Sequence, residues 1–92
     1  VLLLGATATA VRDVKPLFAT APVTDDPDDP AVWVNPDQPE RSWILGTNKV
    51  KAPNGALVVF DLAGKIHQTI AGIDRPNNVD VEYGFAWGQN RV

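Results

Sequence analysis

Short apolar runs alternate with clusters of turn residues along this chain, and nowhere does a 3.6-residue apolar stripe persist through three helical turns. Four runs have strand character. "AVWV" (Ala31–Val34) stops at Asn35-Pro36, a pair that opens turns. "SWILGTN" (Ser42–Asn48) follows a polar loop. "GALVVFDL" (Gly55–Leu62) follows Asn54-Gly55, a pair that favours positive φ and a tight hairpin. "KIHQTIAG" (Lys65–Gly72) follows Ala63-Gly64, a second hairpin signal. A fifth run, Asn78–Trp87, sets Val79, Val81, Tyr83 and Phe85 against Asn78, Asp80 and Glu82, the period of a half-buried strand. Val11–Thr24, interrupted by Pro16 and Pro22, reads as an extended lead-in.

The pattern predicts an all-β chain of four successive antiparallel strands plus the start of another. Four such strands make one blade of a β-propeller, and one blade has faces that only neighbouring blades can bury. No second copy of the unit is present, so the expectation is a truncated propeller. The 92 residues contain no Met, which also suggests processing or truncation. Val1–Leu4 lead into small residues with an A-x-A pattern, so residues 1–10 read as the remnant of a secretory signal peptide. The competing reading is a buried first strand. No stretch approaches the roughly 20 apolar residues needed to span a bilayer. Export, extracellular or periplasmic, is expected, with no membrane partner.

Charge changes the picture locally. The net charge is only −3, yet Asp25–Glu40 holds six acids and no Lys or Arg. Such a field attracts cations and repels phosphate backbones, which excludes nucleic acid as a partner. The absence of Cys excludes disulfides and thiolate metal sites, leaving bound metal as the usual staple of a small exported domain.

The run "DDPDDPAVW" (Asp25–Trp33) is where that metal would sit. Asp26 and Asp29 each precede a proline and are pushed toward extended geometry. Pro27 and Pro30 have no N–H, so neither donates to a ladder, and the carbonyls here remain free to face a cation. Calcium takes six to eight oxygens, mixing carboxylates, carbonyls and water. Side chains of neighbours in an extended segment point to opposite sides, so Asp28 and Asp29 do not serve one ion together. A solvated acidic linker is the competing reading. In "NNVDV", Asn78 and Asp80 share one face while Val79 and Val81 share the other, which fits either oxygen donors for calcium or an Asx turn without metal.

Taken in order, "DDPAVWVNP" (Asp28–Pro36), "GTNK" (Gly46–Lys49), "GALVVFDLAGK" (Gly55–Lys65) and "NNVDVEYGF" (Asn77–Phe85) resemble the N-terminal part of the β-propeller phytases. These are secreted bacterial six-bladed propellers that remove phosphate from calcium-phytate. The resemblance covers Asp25–Val92, which defines an incomplete phytase domain after residues 1–10 and the lead-in 11–24. Two departures stand out. The loop "VKAPN" (Val50–Asn54) is longer, which reads as a harmless hairpin insertion, and Glu82 stands where a basic residue is usual.

The resemblance implies calcium-dependent hydrolysis of phosphomonoesters of myo-inositol hexakisphosphate by a monomeric 3-phytase. It implies Ca2+ held by the Asp29 carboxylate and the Pro30 carbonyl, with the Val79 carbonyl lent from a turn placed alongside and Asp80 as a weaker ligand. It assigns Lys49 to a substrate phosphate, as a point charge against its oxygens. Calcium and basic donors kept elsewhere would complete the catalytic machinery, so no catalytic residue is assigned and the 92 residues alone are expected to be inactive. The alternative is a secreted, calcium-stabilised propeller module that binds without catalysis. Asp25 and Asp26 are left as a solvated lead-in. Lys51, Arg75 and Arg91 have no supporting motif, His67 reads as a half-exposed strand residue, and Trp33, Trp43 and Trp87 as core packing between blades.

Overall fold

The computed structural model describes residues 10–92. The reading of residues 1–10 as a signal remnant therefore falls, but for Ala10, outside the described residues. Among them there is no α-helix, and no helix is long and apolar enough to cross a membrane.

Four strands form one antiparallel sheet in chain order: β1 (Pro27–Trp33), β2 (Trp43–Asn48), β3 (Ala56–Phe60) and β4 (Ile66–Ala71). A three-residue 3-10 turn, Pro39–Arg41, lies between β1 and β2. A separate two-stranded ribbon pairs β5 (Ala86–Trp87) with β6 (Asn90–Arg91). The all-β class and the four-strand meander are as the pattern predicts.

Two boundaries differ. β1 begins at Pro27 rather than Ala31 and takes both prolines into the ladder region. Proline is tolerated on an edge strand or at a bulge, and β1 is both: it lies at the edge, and its register shifts between Pro27, opposite Asn48, and Pro30, opposite Gly46. The expected strand over Asn78–Trp87 does not form, apart from Ala86–Trp87. Its alternation survives only as burial, with Val79 and Val81 half-buried and Asn78, Asp80 and Glu82 exposed. Residues 78–84 have no ladder partner and are held by single bonds. The Val79 N–H donates to Asp29 Oδ2, and the Val34 N–H donates to Tyr83 Oη.

The core lies on one face of β3. Ala56, Val58 and Phe60 are buried there, with Ile44 of β2 and Ala21 and Val23 of the lead-in packed against them. Burying a side chain the size of Val58 or Phe60 contributes about 1.5–3 kcal/mol. The lead-in is fastened over this face by the Ala21 N–H, which donates to the Gly64 carbonyl at 2.7 Å. On the opposite face Trp43 reaches across β3 to stack on His67, with ring centroids 4.3 Å apart. His67 is therefore an exposed strand residue with an aromatic partner, and Trp43 packs on it instead of entering the core. Radius of gyration is 19.1 Å, against about 12 Å for a closed domain of this length. The exposed lead-in contributes to this extension, and β4 is exposed along its whole length.

The two hairpin signals resolve differently. Gly64 does adopt positive φ, at 82°, in a turn closed by the Asp61 N–H donating to the Lys65 carbonyl at 2.9 Å. Gly55 does not. The loop from Lys49 to Gly55 folds instead against residues 72–75. Arg75 N–H donates to Val50 O, Ile73 N–H to Gly55 O, Gly72 N–H to Pro53 O, and Ala52 N–H to Asp74 Oδ1, all between 2.9 and 3.1 Å. The long loop is thus an anchored clasp rather than a free insertion, and Gly55 is needed for close approach.

Candidate functional site

The end of β2 carries Thr47, Asn48 and Lys49, and the acidic segment of β1 lies against it. Asp28 and Asp29 do point apart. The Lys49 ammonium sits 2.8 Å from Asp28 Oδ1, with both side chains about one-third exposed (37% and 31%). Asp29 turns the other way, where its Oδ2 accepts the Val79 N–H at 2.9 Å. Its own N–H donates to Thr47 Oγ1 at 2.9 Å, and that hydroxyl lies 3.4 Å from the Asp29 carbonyl. Three stretches distant in sequence therefore meet at one corner of the sheet.

Asn48 ties the corner together. Its Oδ1 accepts the Asp26 N–H at 3.0 Å, and its Nδ2 donates to Asp25 Oδ2 at 3.0 Å and to the Asn54 carbonyl at 3.3 Å. The Lys49 N–H donates to the Asp26 carbonyl at 2.8 Å. Asp25 and Asp26 are exposed, but they are not the solvated lead-in expected from the sequence. Hydrogen bonds to a buried asparagine hold them, because the sheet edge offers partners that a free linker lacks.

The Lys49 ammonium is held protonated above the ordinary 10.5, first by its hydrogen bond to Asp28, then by the charge of Asp28 and more weakly by that of Asp26. A raised lysine favours the folded state below its unfolded pKa. That contribution fades as pH rises through the elevated folded value, beyond 10.5. At neutral pH the ammonium carries its full charge.

The five residues nominated from the sequence fall into two groups. Asp29 and Val79 touch, Pro30 follows Asp29 in the strand opposite Gly46, and Lys49 joins them through Asp28. The bond seen at Val79 uses its N–H and does not engage its carbonyl oxygen. Asp80 stands apart: it is exposed, and its Oδ1 accepts the neighbouring Val81 N–H at 2.7 Å, the local bond of an Asx-type turn. Sequence reasoning passed over Asp28 as a partner for Lys49, and Asn48 altogether. The opposed directions of Asp28 and Asp29 were a usable signal for the first. Nothing short of the β1–β2 register pointed to the second.

Among the described residues no three His, Cys, Asp or Glu side chains gather as a metal site. The donors present, a carboxylate with one oxygen free of protein bonds and adjacent carbonyls, are hard oxygens that suit calcium in kind. Their number is below the six to eight that calcium takes, so water and further groups would complete any shell.

Comparison with known proteins identifies the lineage. The model of the family described as Phytase matches residues 5–92. The chain belongs to the phytase family. A curated relative, the 3-phytase of Bacillus subtilis (strain 168), is 39% identical over 105 residues, covering 99% of this chain and 26% of that protein. The phytase-family chain thus spans about a quarter of its relative's length. No solved structure matches it.

Beside this corner a hollow of about 270 Å³ opens between the lead-in and the sheet, walled by Val23, Pro27, Pro30, Ile44 and Phe60 with Asp28 and Asp29 at its edge. Its wall is mostly apolar and its charges are negative. It offers no cationic group, and the partly exposed Lys49 ammonium lies outside it.

Proposed function

We propose that this chain supplies the first sheet of a secreted, monomeric six-bladed β-propeller phytase, which hydrolyses phosphomonoesters of calcium-phytate in a Ca2+-dependent reaction. One observation carries the reading beyond family membership. Three of the four motifs of the resemblance meet at one corner, with a cationic donor and a carboxylate facing away from each other. In this reading Asp29 and the carbonyls of Pro30 and Val79 contribute to a calcium site, Asp80 braces the turn, and Lys49 presents its ammonium to a substrate phosphate. Bound calcium would screen the substrate's charge and lower the pKa of a water. Asp28 keeps the Lys49 ammonium charged and aimed while leaving part of it open to solvent.

The open face of the sheet supports the propeller, since a blade needs neighbours on both sides. The test is phosphate release from phytate by the full-length gene product. Release that requires calcium and stops with chelator is expected. Calcium-dependent stability without phosphate release would instead favour the non-enzymatic binding module.

Lys49→Met keeps the length of the side chain and removes its charge. The change is expected to lower kcat/KM for phytate by about 100-fold, the scale of losing one charged donor to a transition state. Steady-state kinetics check this, and a loss below about threefold would remove Lys49 from the substrate site.

A further inference from the structure

The corner is built where the β1–β2 ladder is interrupted. Pro27 and Pro30 bring no N–H to it, and the register shifts between them, so backbone pairing cannot position Asp28 and Asp29. Two side chains of the facing strand take over. Thr47 Oγ1 accepts the Asp29 N–H at 2.9 Å, and Asn48 Oδ1 accepts the Asp26 N–H at 3.0 Å. Both are buried, at 1% and 4% exposure. No buried side-chain polar atom among the described residues lacks a partner.

We infer that Thr47 and Asn48 are positioning residues that stand in for the interrupted ladder and fix where the acidic run, with Asp28 and Asp29, sits against β2. Thr47 seats Asp29 from its backbone, which leaves that carboxylate free to reach Val79. Asn48 seats Asp26 and draws in Asp25, and the next residue, Lys49, fastens the Asp26 carbonyl while its ammonium takes Asp28. The three successive residues thus act as one template, read in register against the acidic run. What the two carboxylates then do rests on the function proposed above, but their placement does not.

The experiment uses the full-length gene product and two readouts. One is the apparent calcium affinity, taken from the melting midpoint as calcium is titrated. The other is hydrogen exchange, in chelator, of the peptide containing Val79. Thr47→Val preserves the branched shape and removes the acceptor, and is expected to weaken calcium about 10-fold or more and to speed exchange at Val79. Thr47→Ser, which keeps the hydroxyl, should stay within about threefold of the parent on both. Asn48→Asp keeps the acceptor for the Asp26 N–H but turns a carboxylate oxygen on Asp25. It should weaken calcium alone, and recover in part when combined with Asp25→Asn.

If Thr47→Val lowers only the melting midpoint in chelator, with calcium affinity and Val79 exchange unchanged, the residue is merely structural and the inference is overturned. If the parent protein ignores calcium, the calcium reading fails by itself. Exchange at Val79 then still decides whether Thr47 positions Asp29.

Discussion

Asp29→Asn in the full-length gene product is expected to remove most calcium-dependent stabilisation while leaving the fold in place. The amide retains an oxygen that can accept the Val79 N–H, so the link now made by Asp29 Oδ2 survives. What disappears is the negative charge. A hard cation loses the only carboxylate assigned to it here, and a loss of about 100-fold in affinity is the expected scale. At a calcium concentration near 100 times the parent's Kd, this removes about 2.3 kcal/mol of stabilisation. Melting midpoints with calcium and with chelator measure it. The chelated midpoint should barely move, and the calcium-induced rise should nearly vanish. A variant that keeps the full rise would show that Asp29 braces the Val79 turn and does nothing for a cation.

Gly55→Ala is the substitution expected to damage the fold most. A Cβ at this position would run into the carbonyl oxygens of Ile73 and Val50, both backbone atoms that cannot swing away as a side chain can. Relieving the clash means parting the clasp, since the Ile73 N–H donates to the Gly55 carbonyl at 3.0 Å and the Arg75 N–H to Val50 at 2.9 Å. The cost should exceed about 3 kcal/mol, in the range where single substitutions have an identifiable steric cause. Gly72→Ala provides the contrast. Its φ of +86° strains any side chain, but nothing lies within 4 Å of the added atom. Only the left-handed backbone penalty of about 1–2 kcal/mol applies. Urea unfolding of the two variants side by side checks the order. Equal losses would mean that the Gly55 contact relaxes cheaply.

Much of the sheet was legible in the chain because strand and turn signals are local. The four runs, the Gly64 hairpin and the all-β class each follow from residues within a few positions of one another. Asn78–Trp87 was misread for an instructive reason. Alternation reports an extended chain with one wetter side, and Val79 and Val81 satisfy that without a strand. Whether a ladder forms depends on a partner, and here the partners are the Asp29 carboxylate, which accepts the Val79 N–H, and the Val34 N–H, which donates to the Tyr83 hydroxyl. Gly55 was misread likewise: Asn-Gly is a sound hairpin signal, yet the glycine is required by Ile73, which lies far along the chain.

The candidate corner divides the same way. That Asp28 and Asp29 face opposite sides was determined by the sequence itself, since pre-proline residues are extended and extended neighbours alternate. The family was likewise readable from motif order. What each carboxylate meets was decided only by tertiary structure. Asp28 finds Lys49 because β1 pairs with β2 through a shifted register, and Asp29 finds Val79 because the later segment passes that edge. Backbone sterics act between neighbours and can be read from them. A register shift and a chain crossing depend on packing across dozens of residues, which no short stretch contains.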